Sequence, residues 1–161
     1  MNNNDITITR LMNEHGNSIL RLCAMYLGDT ALAEDAAQEA FLRAYRGLDR
    51  FRGDSSLKTW LTRIAINVCK DMSHKRRRQP LVLDRLPENT ANDPPCDDSI
   101  IREVMALPEK YRTVILLRYY QELSLEETAG ALRITRNAVS QRLLRAKAML
   151  RMRIETWYFD D

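Results

Sequence analysis

The sequence predicts an all-α protein. Two small helical domains are joined by a flexible acidic linker, and the second domain contains a helix-turn-helix. Three observations lead there. The chain of 161 residues is 45% hydrophobic and 29% charged, with five Gly and five Pro, a composition that favours helices around a packed core. Apolar residues recur at three- and four-residue spacing in both halves, the period of a helix buried on one side. Charge falls in blocks: residues 1–78 hold 13 Lys/Arg and 9 Asp/Glu, residues 79–98 hold 1 and 5, and residues 99–161 hold 11 and 8.

The middle block, QPLVLDRLPENTANDPPCDD, contains four of the five prolines. It reads as a linker, giving domains at 1–78 and 99–161 with the connector at 79–98. An acidic tether avoids a polyanion while two basic modules bind it. No run approaches the roughly 18 apolar residues of a membrane span. The N-terminus, MNNNDITITR, lacks the basic start and apolar core of a secretory signal. Cys23, Cys69 and Cys96 are odd in number and far apart, as expected of reduced thiols in a cytoplasmic protein.

In the first block, Ile19, Leu20, Leu22, Cys23, Tyr26 and Leu27 form a helical stripe. GDT then breaks the pattern, with Asp29 or Thr30 able to cap the next helix. Ala33, Ala36, Ala37, Ala40, Phe41 and Ala44 recur at helical spacing and make a small-residue face that lets a neighbour pack closely. The other face carries Asp35, Gln38, Glu39, Leu42, Tyr45 and Arg46. Glu39 and Arg43 are spaced to pair as on any solvated surface, whereas Leu42 and Tyr45 among those charges suit a protein partner.

FRGDSS reads as a loop. The helix after it has Leu57, Trp60, Leu61, Ile64, Ala65, Val68 and Met72 in one stripe, expected to be buried, with Trp60 in the core. Thr59, Arg63, Asn67, Lys70 and His74 share another face, which runs into HKRRR. A basic face beside a Gly-containing loop suits phosphate contacts and an unstacked base.

In the second block, LPEKYRTVILLRYYQEL places Pro108 in the first turn of a helix, where its missing N–H is harmless. Tyr111, Val114, Ile115, Leu116 and Leu117 supply its apolar mass, and Arg118 is expected to point to solvent. Ser124 and Glu127 are spaced as a capping box, and Leu125, Ala129 and Leu132 form the inner side of the helix they open. Thr135 then caps a final helix, whose Ala138, Val139, Leu143, Ala146 and Leu150 face inward. Arg136, Asn137, Ser140, Gln141 and Arg145 face outward. Two helices, a short turn and a basic, amide-bearing second helix make a helix-turn-helix. Arg, Asn and Gln can make bidentate contacts with guanine and adenine edges, while Arg142 and Lys147, farther round or along, suit phosphates.

The order of these parts resembles that of a bacterial extracytoplasmic-function (ECF) sigma factor of RNA polymerase, over about residues 8–153. AEDAAQEAFLRAYR resembles the family's core-polymerase-binding helix, and FRGDSSLKTWLTRIAINVCKDMSHKRR its minus-ten-element module. ALPEKYRTVILLRYYQELSLEETAGAL with VSQRLLRAKAML is similar to its minus-thirty-five-element module. The resemblance implies that Asp35, Gln38, Glu39, Leu42 and Arg43 face the clamp helices of core RNA polymerase. It implies that Phe51, Arg52, Gly53, Asp54, Ser55 and Ser56 form a loop capturing a flipped minus-ten base. Arg63, Asn67, Lys70, Lys75, Arg76 and Arg77 then follow the non-template strand. Arg136, Asn137, Ser140, Gln141, Arg142, Arg145 and Lys147 read or flank the minus-thirty-five element of promoter DNA. The family often pairs with a membrane-anchored anti-sigma factor. No cofactor, metal or small-molecule substrate is implied, and the chain is not expected to be an enzyme. Two residues depart from the family pattern: Arg133 stands where the tight turn usually has Gly, and Thr128 where an aliphatic residue usually precedes Ala129.

Two other readings exist. A stand-alone helix-turn-helix regulator explains residues 99–161 but leaves the loop and basic helix of the first block without a task. A recombinase or nuclease would need a clustered acidic metal site or an activated Ser or Tyr, and the sequence shows neither. Cys69 and His74 have no second pair nearby to complete a zinc site.

Overall fold

The computed structural model describes residues 2–76 and 98–159, and among these residues the regular structure is entirely helical. The described residues divide into two compact units, 2–76 with Gly130–Leu132, and 98–129 with 133–159. Most of the acidic connector, with Arg77 and Cys96, lies outside the described residues.

The first unit packs α1 (Asn3–Leu27), α2 (Thr30–Gly47) and α3 (Leu57–Arg76) on one another. α1 opens with a capping box: the Asp5 N–H donates to the Asn2 side chain at 2.9 Å, and the Asn2 N–H to Asp5 at 3.2 Å. It ends at Gly28, whose φ of 68° is a left-handed conformation that glycine adopts without steric cost. Asp29 is the cap of α2, accepting the Leu32 N–H at 3.0 Å. The alanine face of α2 is buried as expected, together with Phe41. Its shortness lets α1 approach and seat Ile19, Leu22, Cys23 and Tyr26.

α3 is rotated from the expected stripe. Leu61, Ala65 and Val68 are buried, but so are Thr59, Thr62, Ile66 and Cys69, while Leu57, Trp60, Ile64 and Met72 are only half-buried. The threonines can go inside because their hydroxyls are satisfied locally. Thr62 donates to the Lys58 carbonyl at 2.8 Å, and Thr59 accepts from the Ser56 hydroxyl at 3.0 Å. A buried polar group with a partner escapes most of its desolvation cost.

Arg76 is also placed differently from the sequence reading. It turns back onto the α1–α2 corner, donating to the Leu27 carbonyl at 2.7 Å and lying 3.8 Å from the Asp29 carboxylate. It thereby satisfies a carbonyl at the C-terminal end of α1 that has no partner within the helix and ties the end of α3 to the other two helices. Arg76→Met should lower the unfolding free energy by about 1.5–3 kcal/mol, as for a charged hydrogen bond. Lys75→Met, at an exposed neighbour, should stay within about 0.5 kcal/mol. Equal losses in denaturant titrations would contradict the assignment.

The second unit holds α4 (Asp98–Ala106), α5 (Glu109–Ile115), a π-helical stretch (Leu116–Tyr120), the first five residues of α6 (Leu125–Leu132) and α7 (Arg136–Phe159). α4 and α5 pack against each other and on α7. Pro108 is the N-cap of α5, one residue earlier than expected. Val104, Tyr111, Val114, Leu116, Leu117, Val139, Leu143 and Ala146 are buried. Arg118 does not point to solvent. The π-helical turn carries it inward, and its guanidinium donates to the Leu123 carbonyl, closing the bend that precedes α6. Glu122 in that bend has a φ of 55°.

Candidate nucleic-acid and polymerase interfaces

Opposite its alanine face, α2 presents Asp35, Gln38, Leu42, Arg43, Tyr45 and Arg46 to solvent, with Glu39 half-buried. Leu42 is 49% exposed and Tyr45 39%, a large apolar exposure amid charges. Arg43 donates to Glu39 at 3.0 Å and to Asp71 of α3 at 3.3 Å. The hydrogen bond with Glu39 is the main cause raising its pKa above the usual guanidinium value. Asp35, Gln38 and Leu42 are therefore more open to a partner than the Glu39–Arg43 pair.

Beside this face runs an apolar groove of about 580 Å³, lined by Ile8, Met12 and Leu20 of α1 with Ala37, Phe41 and Leu42 of α2. The contribution of α1 was missed in the sequence reading, although Ile8 and Met12 stand at i,i+4 spacing. Tyr45 also lines it, its hydroxyl donating to Asp5 at 2.7 Å. That hydrogen bond raises the phenol's pKa.

Phe51–Ser56 is an irregular loop between a short 3-10 turn, Leu48–Arg50, and α3. Arg52, Gly53, Asp54 and Ser55 are exposed, and Gly53 has a φ of 77°, a backbone position that favours glycine. The loop's first residue, Phe51, packs on Trp60 with ring centroids 5.1 Å apart. Along α3 beyond it, Arg63, Asn67 and Lys70 are half-buried and Lys75 is exposed.

α6 opens with the expected capping box: Glu127 N–H donates to Ser124 Oγ at 3.0 Å and Ser124 N–H to Glu127 at 3.1 Å. Thr128 is fully buried, and its hydroxyl donates to the Ser124 carbonyl at 2.8 Å, so the polar substitution leaves no unsatisfied group. Arg133 in the turn has a φ of 56°, a left-handed state that costs a non-glycine residue on the order of 1 kcal/mol. Thr135 caps α7, accepting the Ala138 N–H at 3.1 Å.

The first turns of α7 expose Arg136, Asn137 and Gln141, while Ser140 and Arg142 are half-buried. Arg136 pairs with Glu126 at 3.4 Å, but both side chains are largely exposed, so the pair is weak and easily exchanged for another anion. Two cations farther along rest on tyrosines. Arg145 donates to the Tyr111 hydroxyl at 3.4 Å, a hydrogen bond that lowers that hydroxyl's pKa. The Lys147 ammonium lies 5.5 Å from the Tyr119 ring centroid. Sequence spacing carried no sign of either pairing, since each joins α7 to a residue about thirty positions away.

The chain matches the family model for Sigma-70 region 2 over residues 11–79 and that for Sigma-70, region 4 over residues 97–150. It is 35% identical to the ECF RNA polymerase sigma factor SigW of Bacillus subtilis, over 86% of this chain and 83% of that one. Identity to the RNA polymerase sigma-H factor of Pseudomonas aeruginosa is 33%, over 85% and 80% of the two chains. The ECF RNA polymerase sigma-E factor of Escherichia coli K12 is also 33% identical, over 75% and 73%. Two solved structures share the fold. CnrH, solved with the cytosolic domain of CnrY, aligns with a TM-score of 0.72 at 22% identity over 96% of this chain and 91% of that one. The sigma factor RpoE, solved with the anti-sigma factor NepR from Bartonella quintana, aligns at 0.77 and 20% over 91% and 97%. With an all-α fold, an exposed basic helix-turn-helix and these relatives, the chain belongs to the ECF family of RNA polymerase sigma factors, which bind core polymerase and direct promoter-specific transcription initiation.

Proposed function

We propose that three surfaces divide the work of initiation. Asp35, Gln38 and Leu42, flanked by Glu39 and Arg43, dock on core polymerase. The loop Phe51–Ser56 takes an unpaired base of the minus-ten element, and Arg63, Asn67, Lys70, Lys75 and Arg77 follow the strand; Arg77 lies outside the described residues. Arg136, Asn137, Ser140, Gln141 and Arg145 read or flank the minus-thirty-five element, with Arg142 and Lys147 on phosphates. Domain limits at 1–78 and 99–161 belong to the same reading. The observation that carries it is the two-sided character of α7. Val139, Leu143 and Ala146 are buried, while Arg136, Asn137 and Gln141 stand exposed just after the Thr135 cap, at the end that enters the major groove in this motif.

On this reading the chain acts in the cytoplasm and supplies no catalysis of its own; the polymerase makes the RNA. An anti-sigma factor that covers the docking face is the partner expected to hold the protein idle. Arg76 is withdrawn from the DNA-contacting set, because its guanidinium is committed to Leu27 and Asp29.

The loop assignment is tested by changing Asp54 and Ser55 to Ala and comparing a duplex promoter with one whose minus-ten segment is pre-melted. A loop that reads a base by hydrogen bonds to its edge leaves a defect that persists on the bubble and depends on that base. Full rescue by the bubble would mean that the loop only assists melting.

A further inference from the structure

We propose that Trp60 is a positioning residue for the loop Arg52–Ser55, and that Gly47 sets the depth at which its indole seats. The inference rests on the reading of this loop as the pocket for an unpaired base. Trp60 was expected in the core but is half-buried, held between the end of α2 and the start of the loop. On one side is Gly47. A Cβ there would stand 3.2 Å from Trp60 Cζ2 and 3.7 Å from Cη2, so the indole edge occupies the space that any other residue would fill. The backbone at Gly47, with φ −93° and ψ −7°, is open to every amino acid, so a side chain there acts through space alone and would push the indole by a few tenths of an ångström. On the other side is Phe51, its ring tilted 47° to the indole.

The far end of the loop is fixed to the same turn of α3. Ser56 Oγ accepts the Thr59 N–H at 3.1 Å, and the Ser56 carbonyl accepts the Trp60 N–H at 3.0 Å. Phe51 and Ser56 are thus both anchored on Thr59–Trp60, and the residues between them form an arch whose span α3 dictates. Gly53 supplies the left-handed turn at its crown, where a Cβ would meet nothing within 4 Å. Its glycine answers to backbone conformation, as Gly47 answers to contact. An arch held at both feet meets an extruded base with little further ordering, which removes part of the entropic cost of capture. A shift of the indole moves Phe51, and with it the groups that face the base.

The test uses the full chain in holoenzyme on pre-melted minus-ten templates carrying each of the four bases at the captured position. The quantity read is the ratio of transcription on the preferred base to that on the others. Trp60→Leu should reduce the ratio by about tenfold and Gly47→Ala by about threefold, in line with the sensitivity of preorganised sites to sub-ångström displacement. Core affinity should remain near that of the unmutated protein, and both variants should stay folded at the assay temperature, Trp60→Leu with a lowered melting point. Combining Trp60→Leu with Asp54→Ala and Ser55→Ala should lower the ratio no further than the two loop changes alone, because the residues act as one unit. If the loop variant loses the preference while folded Trp60→Leu and Gly47→Ala keep it, positioning is wrong and base reading stands. If the loop variant keeps the preference, base reading fails and the positioning role with it. Should Trp60→Leu not fold, Gly47→Ala decides alone, since Ala at a helix end favours the helix.

Discussion

Asn137→Ala is expected to weaken holoenzyme binding to its preferred upstream element by about 1–3 kcal/mol, and to relax preference at one or two base pairs. Binding to DNA altered at those pairs should hardly change. Asn137 is exposed in the first turn of α7, so truncating it should leave the fold intact. Arg136→Ala should act similarly, because its surface pair with Glu126 contributes little to the fold. Arg142→Ala and Lys147→Ala should behave differently. Each should weaken binding about equally on every sequence and reduce the salt slope by about one charge. Lys147 adds a detail: Tyr119→Leu removes the ring beneath it and should mimic part of its loss. Uniform effects from all these substitutions would make α7 an electrostatic anchor, with specificity left to the first unit or to DNA shape.

Leu42→Glu should cost at least about 2 kcal/mol of core-polymerase affinity, the loss typical of a central apolar contact, without unfolding the protein. The side chain is half exposed and opposite the alanine face that holds α2 to its neighbours, so a charge there meets water in the free protein. In the complex it would be buried against the partner without a counter-charge. Asp35→Ala with Gln38→Ala should weaken core binding less, as rim contacts do. Wild-type core affinity in the folded Leu42→Glu protein would remove this face from the interface.

Much of this arrangement was legible in the sequence because it depends on local patterns. The Asp29 and Thr135 caps, the Ser124–Glu127 box, the alanine face of α2 and the two sides of α7 each follow from spacing within a turn or two. The left-handed Arg133 was visible too, as a residue standing where a glycine belongs. What sequence spacing did not show is which polar groups would find partners inside the fold. Arg76 read as a DNA-contacting cation and Arg118 as a solvated one, yet each donates to a backbone carbonyl beyond its own helix. The rotation of α3 was missed because Thr59 and Thr62 count as polar until their hydrogen bonds are known. The seat of Trp60 needed two residues from different elements, Gly47 and Phe51, and neither announces the other.

The central claim is that this chain gives core RNA polymerase its promoter specificity. The most direct test is transcription in vitro on fragmented genomic DNA with core polymerase alone and with the protein added, the start sites being mapped. New starts that require both components and share two upstream elements at fixed spacing are expected. The free protein should bind those promoter duplexes only weakly. Start sites unchanged by the protein, together with tight and specific duplex binding in the absence of polymerase, would contradict that claim and point to a stand-alone helix-turn-helix regulator.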